Sequence, residues 1–169
     1  MQNKLADRFT TKLAVVVILS ICILGAIPGA AQTIVRGGGN TIIEGGTGSP
    51  SFTPVLTTLA FRAESNGSSV TGSFQCLARS PEPPSSTGAS QSANFDVNIM
   101  YVVGQVTGAT VSGDQATLTG TATVTGLGAG TNVPFTATVQ QGGPGSTVIL
   151  KVSGLTFHEI LLDGNIKLN

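Results

Sequence analysis

The chain has 169 residues, with eight basic residues, eight acidic residues and a single histidine. This length predicts one domain. The lack of a net positive charge argues against a protein that binds the phosphate backbone of nucleic acids. With only 9% charged residues, few side chains are candidates for acid–base chemistry.

Residues 1–31 have the pattern of a secretory signal peptide. The first twelve residues carry three bases against one acid, an uncharged apolar run covers residues 13–27, and small residues follow up to Ala31. A positive start, an apolar centre and a small-residue exit are the parts of a signal peptide. We predict cleavage after Ala31, an exported protein in the secreted or periplasmic space, and a mature chain that begins at Gln32.

Two other fates of this segment stay open. Residues 13–27 could remain as a membrane anchor, although fifteen residues make only about 22 Å of helix against a hydrocarbon core of about 30 Å. Cys22 could instead be lipidated, since the residues before it resemble a lipoprotein processing site. In that interpretation Ile21 occupies a position where a small residue is expected.

Residues 32–54 are rich in glycine and proline, and this composition predicts a flexible lead. Within it, the run 36–39 (Arg-Gly-Gly-Gly) is interpreted as a hinge, because no Gly-Lys-Ser/Thr follows to make a phosphate-binding loop. Residues 41–43 could pair as a short edge strand. The folded domain is expected to cover residues 55–169.

From residue 55 onward, apolar and polar residues alternate with a period of two, which is typical of strands. The clearest strand covers residues 115–125, where alternation assigns Leu118 to the core and Thr119 to solvent. A longer loop is predicted at residues 80–94, and the last strand is expected to break at 163–164.

The segment that begins at Phe95 alternates in the same way, and we predict a bulge or bend after it at Gly104. Its inward residues are predicted to be Phe95, Val97, Ile99, Tyr101 and Val103. In total the pattern indicates about eight strands and no amphipathic helix. We therefore predict an all-β fold, either an antiparallel β-sandwich or a small barrel.

Only Cys76 remains after the predicted cleavage, and one cysteine cannot form a disulfide within the chain. We expect it to be a small buried residue, because Phe74 and Ala78 share its strand face. Stability must then come from the apolar core, which a domain of this size can supply.

Several short runs resemble a loose group of small secreted bacterial β-domains that are largely of unknown function. The runs are G-S-F-Q-C, V-S-G-D-x-A-T-L-x-G, V-Q-Q-G-G-P-G and K-V-S-G, within residues 56–168. The resemblance implies an exported bacterial β-module and no particular reaction. Some members of the group carry acidic residues around the Gly-Pro-Gly turn, where this chain has Gln140, Gln141, Gly142 and Gly143.

His158 and Glu159, with Asp163 nearby in sequence, form the one cluster with reactive side chains. Neighbouring strand residues point to opposite faces, so we interpret His158 and Glu159 as a solvated pair at a sheet edge. Asp96, Asp114 and Asp163 could converge on a cation only if folding brings them together. One histidine and one cysteine are too few for a zinc site, and no cofactor is predicted.

These observations favour an exported, non-enzymatic β-module with a structural or binding role at the cell surface or in the extracellular or periplasmic space. A surface protein or a cell-wall component is the expected partner, and nucleic acid is not. The alternative is a secreted hydrolase that uses His158 with Glu159 or Asp163. The threonines that alternate along residues 117–125 are interpreted as an ordinary wetted strand face.

Overall fold

The computed structural model describes residues 32–43, 54–81 and 95–169. Within these ranges the chain forms nine antiparallel strands, and no helix there is long and apolar enough to cross a membrane. The predicted signal peptide, anchor and lipidation site lie outside the described residues. The strands are β1 (Gln32–Ile43), β2 (Leu56–Ser65), β3 (Val70–Ser80), β4 (Val97–Ser112), β5 (Gln115–Gly126), β6 (Gly130–Gln140), β7 (Thr147–Val152), β8 (Leu155–Leu161) and β9 (Asn165–Leu168).

The strands close into an up-and-down barrel. Each strand from β1 to β7 pairs with the next one in the chain, and β8 pairs back with β1, so the sheet has no free edge along this ring. After a break at residues 162–164, β9 continues along the same edge of β1. Of the two predicted architectures the barrel is therefore confirmed, as is the break in the last strand.

The flexible lead predicted for residues 32–54 is wrong for residues 32–43. This segment is β1, which pairs with β2 on one edge and with β8 and β9 on the other, so it closes the barrel. Its glycines are not a hinge. Gly39 has a φ of +152°, and a Cβ there would lie 2.0 Å from the carbonyl oxygen of Asp163, so a larger residue would force the strands apart.

Apolar side chains fill the barrel interior. The ring of Phe74 lies between those of Phe61 and Phe135, with centroid distances of 6.3 and 5.2 Å. Room for this stack comes from glycine on neighbouring strands, because a Cβ on Gly104 would lie 2.7 Å from the Phe135 ring. An eight-stranded barrel is just wide enough for side chains to fill it, and each buried phenylalanine contributes about 1.5–3 kcal/mol.

The inward and outward faces follow the predicted alternation along β5. Leu118 is fully buried and Thr119 is exposed, as predicted. The interior of the barrel is therefore apolar along this strand, and its threonines mostly lie on the outer wall.

The predicted face of β4 is wrong by one residue. Met100 and Val102 are buried, whereas Tyr101 and Val103 are each 40% exposed on the outer wall. Both faces of this segment carry large apolar residues, so alternation alone cannot choose between them. The bulge is also displaced from its predicted position, because the register shifts after Val106 and not at Gly104.

Candidate functional site

A group of polar side chains lies inside the apolar barrel where β1, β2 and β8 meet. Glu159 is only 2% exposed, and its carboxyl group forms a hydrogen bond with the hydroxyl of Thr41. The same hydroxyl lies 3.3 Å from the main-chain carbonyl oxygen of Thr57. We call Thr41, Thr57, Cys76 and Glu159 the polar cluster.

The environment of Glu159 favours the neutral carboxylic acid. Burial raises the pKa of Glu159 from its ordinary value of 4.5 to about 7, and the hydrogen bond from Thr41 offsets only part of that effect. Thr41 has a single hydroxyl proton, which it can donate either to the carboxyl group or to the carbonyl of Thr57. If Glu159 is protonated, it can donate its proton to the hydroxyl oxygen of Thr41, and the Thr41 hydroxyl can then donate to the carbonyl of Thr57.

The remaining two members of the polar cluster are also buried. The hydroxyl of Thr57 has no hydrogen-bond partner among the described residues. Cys76 is fully buried, as predicted, and its thiol is free. Burial and, to a smaller extent, the charge of Glu159 raise the pKa of Cys76 well above its usual range, which keeps this thiol protonated and unreactive at neutral pH.

The structure separates the residues that the sequence grouped at 158–163. His158 is exposed on the outer wall while its neighbour Glu159 points inward, so the prediction of opposite faces is confirmed. The interpretation of a solvated edge pair is wrong, because β8 has partners on both edges and Glu159 is buried. Asp163 lies in the β8–β9 break, where the backbone and side-chain amides of Asn40 donate to its two oxygens at 2.9 Å.

Asp96, Asp114 and Asp163 do not form a cation site. Asp96 precedes β4 and Asp114 follows it, so these two carboxylates lie at opposite ends of one 16-residue strand. The side-chain amide of Gln140 donates to Asp114 at 3.1 Å. Among the described residues, no three acidic, histidine or cysteine side chains are grouped in a way that could hold a metal ion.

Sequence reasoning missed a row of three cations on the outer wall. Arg36 in the middle of β1 is directly opposite Arg62 of β2 on one side and directly opposite Lys167 of β9 on the other. Directly opposed residues of antiparallel strands point to the same face, and all three residues are exposed. These are three of the five basic residues that follow residue 31. We call Arg62, Arg36 and Lys167 the basic row.

Beside the basic row lies a hollow of about 310 Å³. The next positions along the strands are Ala60, Gly38 and Asn165, which are also directly opposed, and two of them have little or no side chain. Beyond them Asn40 holds Asp163 and accepts a 2.7 Å hydrogen bond from Thr58. The hollow is therefore lined by cations together with the bare backbone of Gly38 and the amide of Asn165.

A second hollow, of about 350 Å³, lies on the outer wall around β4. It is lined mainly by Leu77, Ile99, Met100 and Tyr101, and it is more apolar than the first. It exists because Tyr101 lies on the outer face of β4, beside the half-buried side chains of Ile99 and Leu77.

The basic row has no local sequence signal, because its members are up to 131 positions apart and only the strand register brings them together. In the comparisons with known proteins, no family model matches the chain, and no curated protein or solved structure is significantly similar to it. The resemblance to small secreted bacterial β-domains thus stays a prediction.

Proposed function

We propose that this protein is an exported, non-enzymatic barrel that binds a component of the cell surface through its outer wall. Export rests on the signal-peptide pattern of residues 1–31. The described barrel strands all lie after residue 31, so cleavage there would leave them in place.

The observation that carries the binding role is that hollows lie on the outer wall of the barrel. Among the described residues, buried apolar side chains, including the stack of three phenylalanines, occupy the barrel interior. The two hollows described above lie on the outer wall, and one of them has the basic row along its side. A barrel whose outer wall carries hollows and a row of cations suits a binding module whose partner contacts the outside.

The hydrolase alternative has less support from the geometry. A nucleophile, a base and its orienting group must lie within hydrogen-bond reach of one another. Glu159 is inside the barrel and His158 is outside it, so the wall separates this pair. Asp163 is held by Asn40 in the β8–β9 break.

The test is to recover the exported protein and measure both roles on the same preparation. We expect it to sediment with cell envelopes of the producing cells and to show no turnover of ester, peptide or glycoside substrates above a buffer control. The His158→Ala variant should sediment equally well. Hydrolysis by the exported protein that disappears in His158→Ala would overturn the proposal and favour the hydrolase.

A further inference from the structure

We propose that the basic row and its hollow form a binding site for an acidic carbohydrate polymer, one that carries carboxylate or phosphate groups. This inference rests on the proposed binding function and names the ligand class of the site. Three features support it: the charges of the basic row, the shape of the hollow beside it and, at this hollow, the lack of an exposed aromatic residue on which nucleic-acid bases could stack.

The charges of the row oppose one another in the unliganded protein. Like charges on directly opposed strand positions destabilise a sheet, and Arg36 has a cation opposite it on both sides. Glu64, which forms an ion pair with Arg62, offsets part of this repulsion at one end of the row. An anion placed over Arg36 would convert the remaining repulsion into attraction.

The donors of the row suit oxyanions that are spaced along a chain. Neighbouring strands are about 4.8 Å apart, so the three Cα positions span about 10 Å across the strands. Guanidinium groups bind carboxylate and phosphate with two parallel hydrogen bonds, and the lysine ammonium adds a point charge. The row can therefore engage more than one anionic group of an extended polymer.

The hollow beside the row fits a narrow, hydroxyl-rich chain. Its floor at Gly38 has no side chain, so a polymer backbone can approach the sheet closely. Asn165, which lies directly opposite Gly38, supplies a side-chain amide, and amides form hydrogen bonds readily with sugar hydroxyls. Two sides of a sugar ring could thus be contacted while its acidic group rests on the cations.

Nucleic acid is the less favourable polyanion here. Single strands are held by aromatic side chains on which bases stack, and Phe61, the aromatic residue at this hollow, is only 4% exposed. After the predicted cleavage, five bases face seven acids, so the mature chain has a net charge of −2. That charge provides no long-range attraction to any polyanion, so the choice between polyanions depends on the local geometry of the hollow.

The test is direct binding of polygalacturonate, an acidic polysaccharide, to the exported protein at low ionic strength. Neutral dextran and a single-stranded oligonucleotide serve as comparison ligands. Arg36→Ala and Lys167→Ala each remove a member of the row, and we expect each to weaken polygalacturonate binding about 10-fold or more, the usual effect of losing a hydrogen bond to a charged group. Lys151→Ala removes an exposed cation from β7, outside the row, and should bind like the wild type.

Each outcome decides between the proposals. No binding of polygalacturonate, or equal losses in Arg36→Ala and Lys151→Ala, would overturn the assignment of the ligand to the basic row. Tighter binding of the oligonucleotide than of polygalacturonate would overturn the ligand class. If the protein still sediments with cell envelopes in either case, the proposed binding function stands and only this inference fails. Loss of envelope binding in the wild type would reject the proposed function itself.

Discussion

Replacing Glu159 with glutamine removes the one ionisable carboxyl that lies inside the barrel among the described residues, and keeps its size and shape. The folded protein holds this carboxyl with a pKa of about 7 against an ordinary value of 4.5. Between these two pH values the folded state binds more protons than the unfolded state, so the free energy of unfolding must fall as pH rises through this window. Below about pH 4.5 the group is neutral in both states and has no such effect.

The size of the effect follows from the shift. A difference of about 2.5 pKa units corresponds to about 3 kcal/mol, which is the destabilisation that ionised Glu159 causes above pH 7. We expect Glu159→Gln to unfold at nearly the same denaturant concentration as the wild type at pH 4. At pH 8 it should be more stable by up to about 3 kcal/mol. Urea unfolding of both proteins at pH values from 4 to 8 measures this difference.

Asp163 provides a control of the opposite sign. The side-chain and backbone amides of Asn40 lower its pKa, so its contribution to stability is lost as pH falls rather than as it rises. The Asp163→Asn variant should therefore differ most from the wild type at neutral pH, where it is the less stable protein. A stability difference between Glu159→Gln and the wild type that stays constant from pH 4 to pH 8 would refute the buried, neutral carboxyl.

Three further predictions concern the barrel itself. Thr57→Val removes a buried hydroxyl that lacks a partner and should raise the free energy of unfolding by about 1 kcal/mol, whereas Thr58→Val, which loses a hydrogen bond to Asn40, should lower it; equal effects would contradict this. Leu118→Asp places a charge in the core and should unfold the domain, while Thr119→Asp should change thermal stability by at most about 1 kcal/mol; the reverse result would mean that the faces are inverted. A chain that lacks residues 1–43 should show no cooperative unfolding transition by circular dichroism, because β1 closes the barrel; a cooperative melt would restore the flexible lead.

The class of fold was accessible from local pattern. Alternation with a period of two along residues 115–125 is dictated by strand geometry, whatever the partner strands are. It therefore predicted the all-β fold and the burial of Leu118 correctly. The same logic failed along β4, where Tyr101 and Val103 are as apolar as the buried Met100 and Val102, so that the pattern carries no information about which face is inside.

The pairing of strands that are far apart in the chain could not be predicted from the sequence. Glycine at residues 37–39 is locally a sign of flexibility, and only the approach of Asp163 to Gly39 shows that bare backbone is required there. Likewise, glutamate is usually an exposed residue, and nothing in the local sequence predicts that Glu159 is buried. Its burial follows from the pairing of β8 with β1. In both cases the deciding neighbour lies more than 100 positions away.

The sequence by itself determined most strands after residue 55 and the scarcity of reactive groups, and it predicts export, because each of these depends on residues that are close together in the chain or on composition. Tertiary structure decided that the sheet closes, that Glu159 is enclosed with Thr41, and that Arg36 has Arg62 and Lys167 opposite it. These contacts are set by the strand register, which depends on how all the strands pack around one core. The polar cluster and the basic row exist only once the barrel is closed.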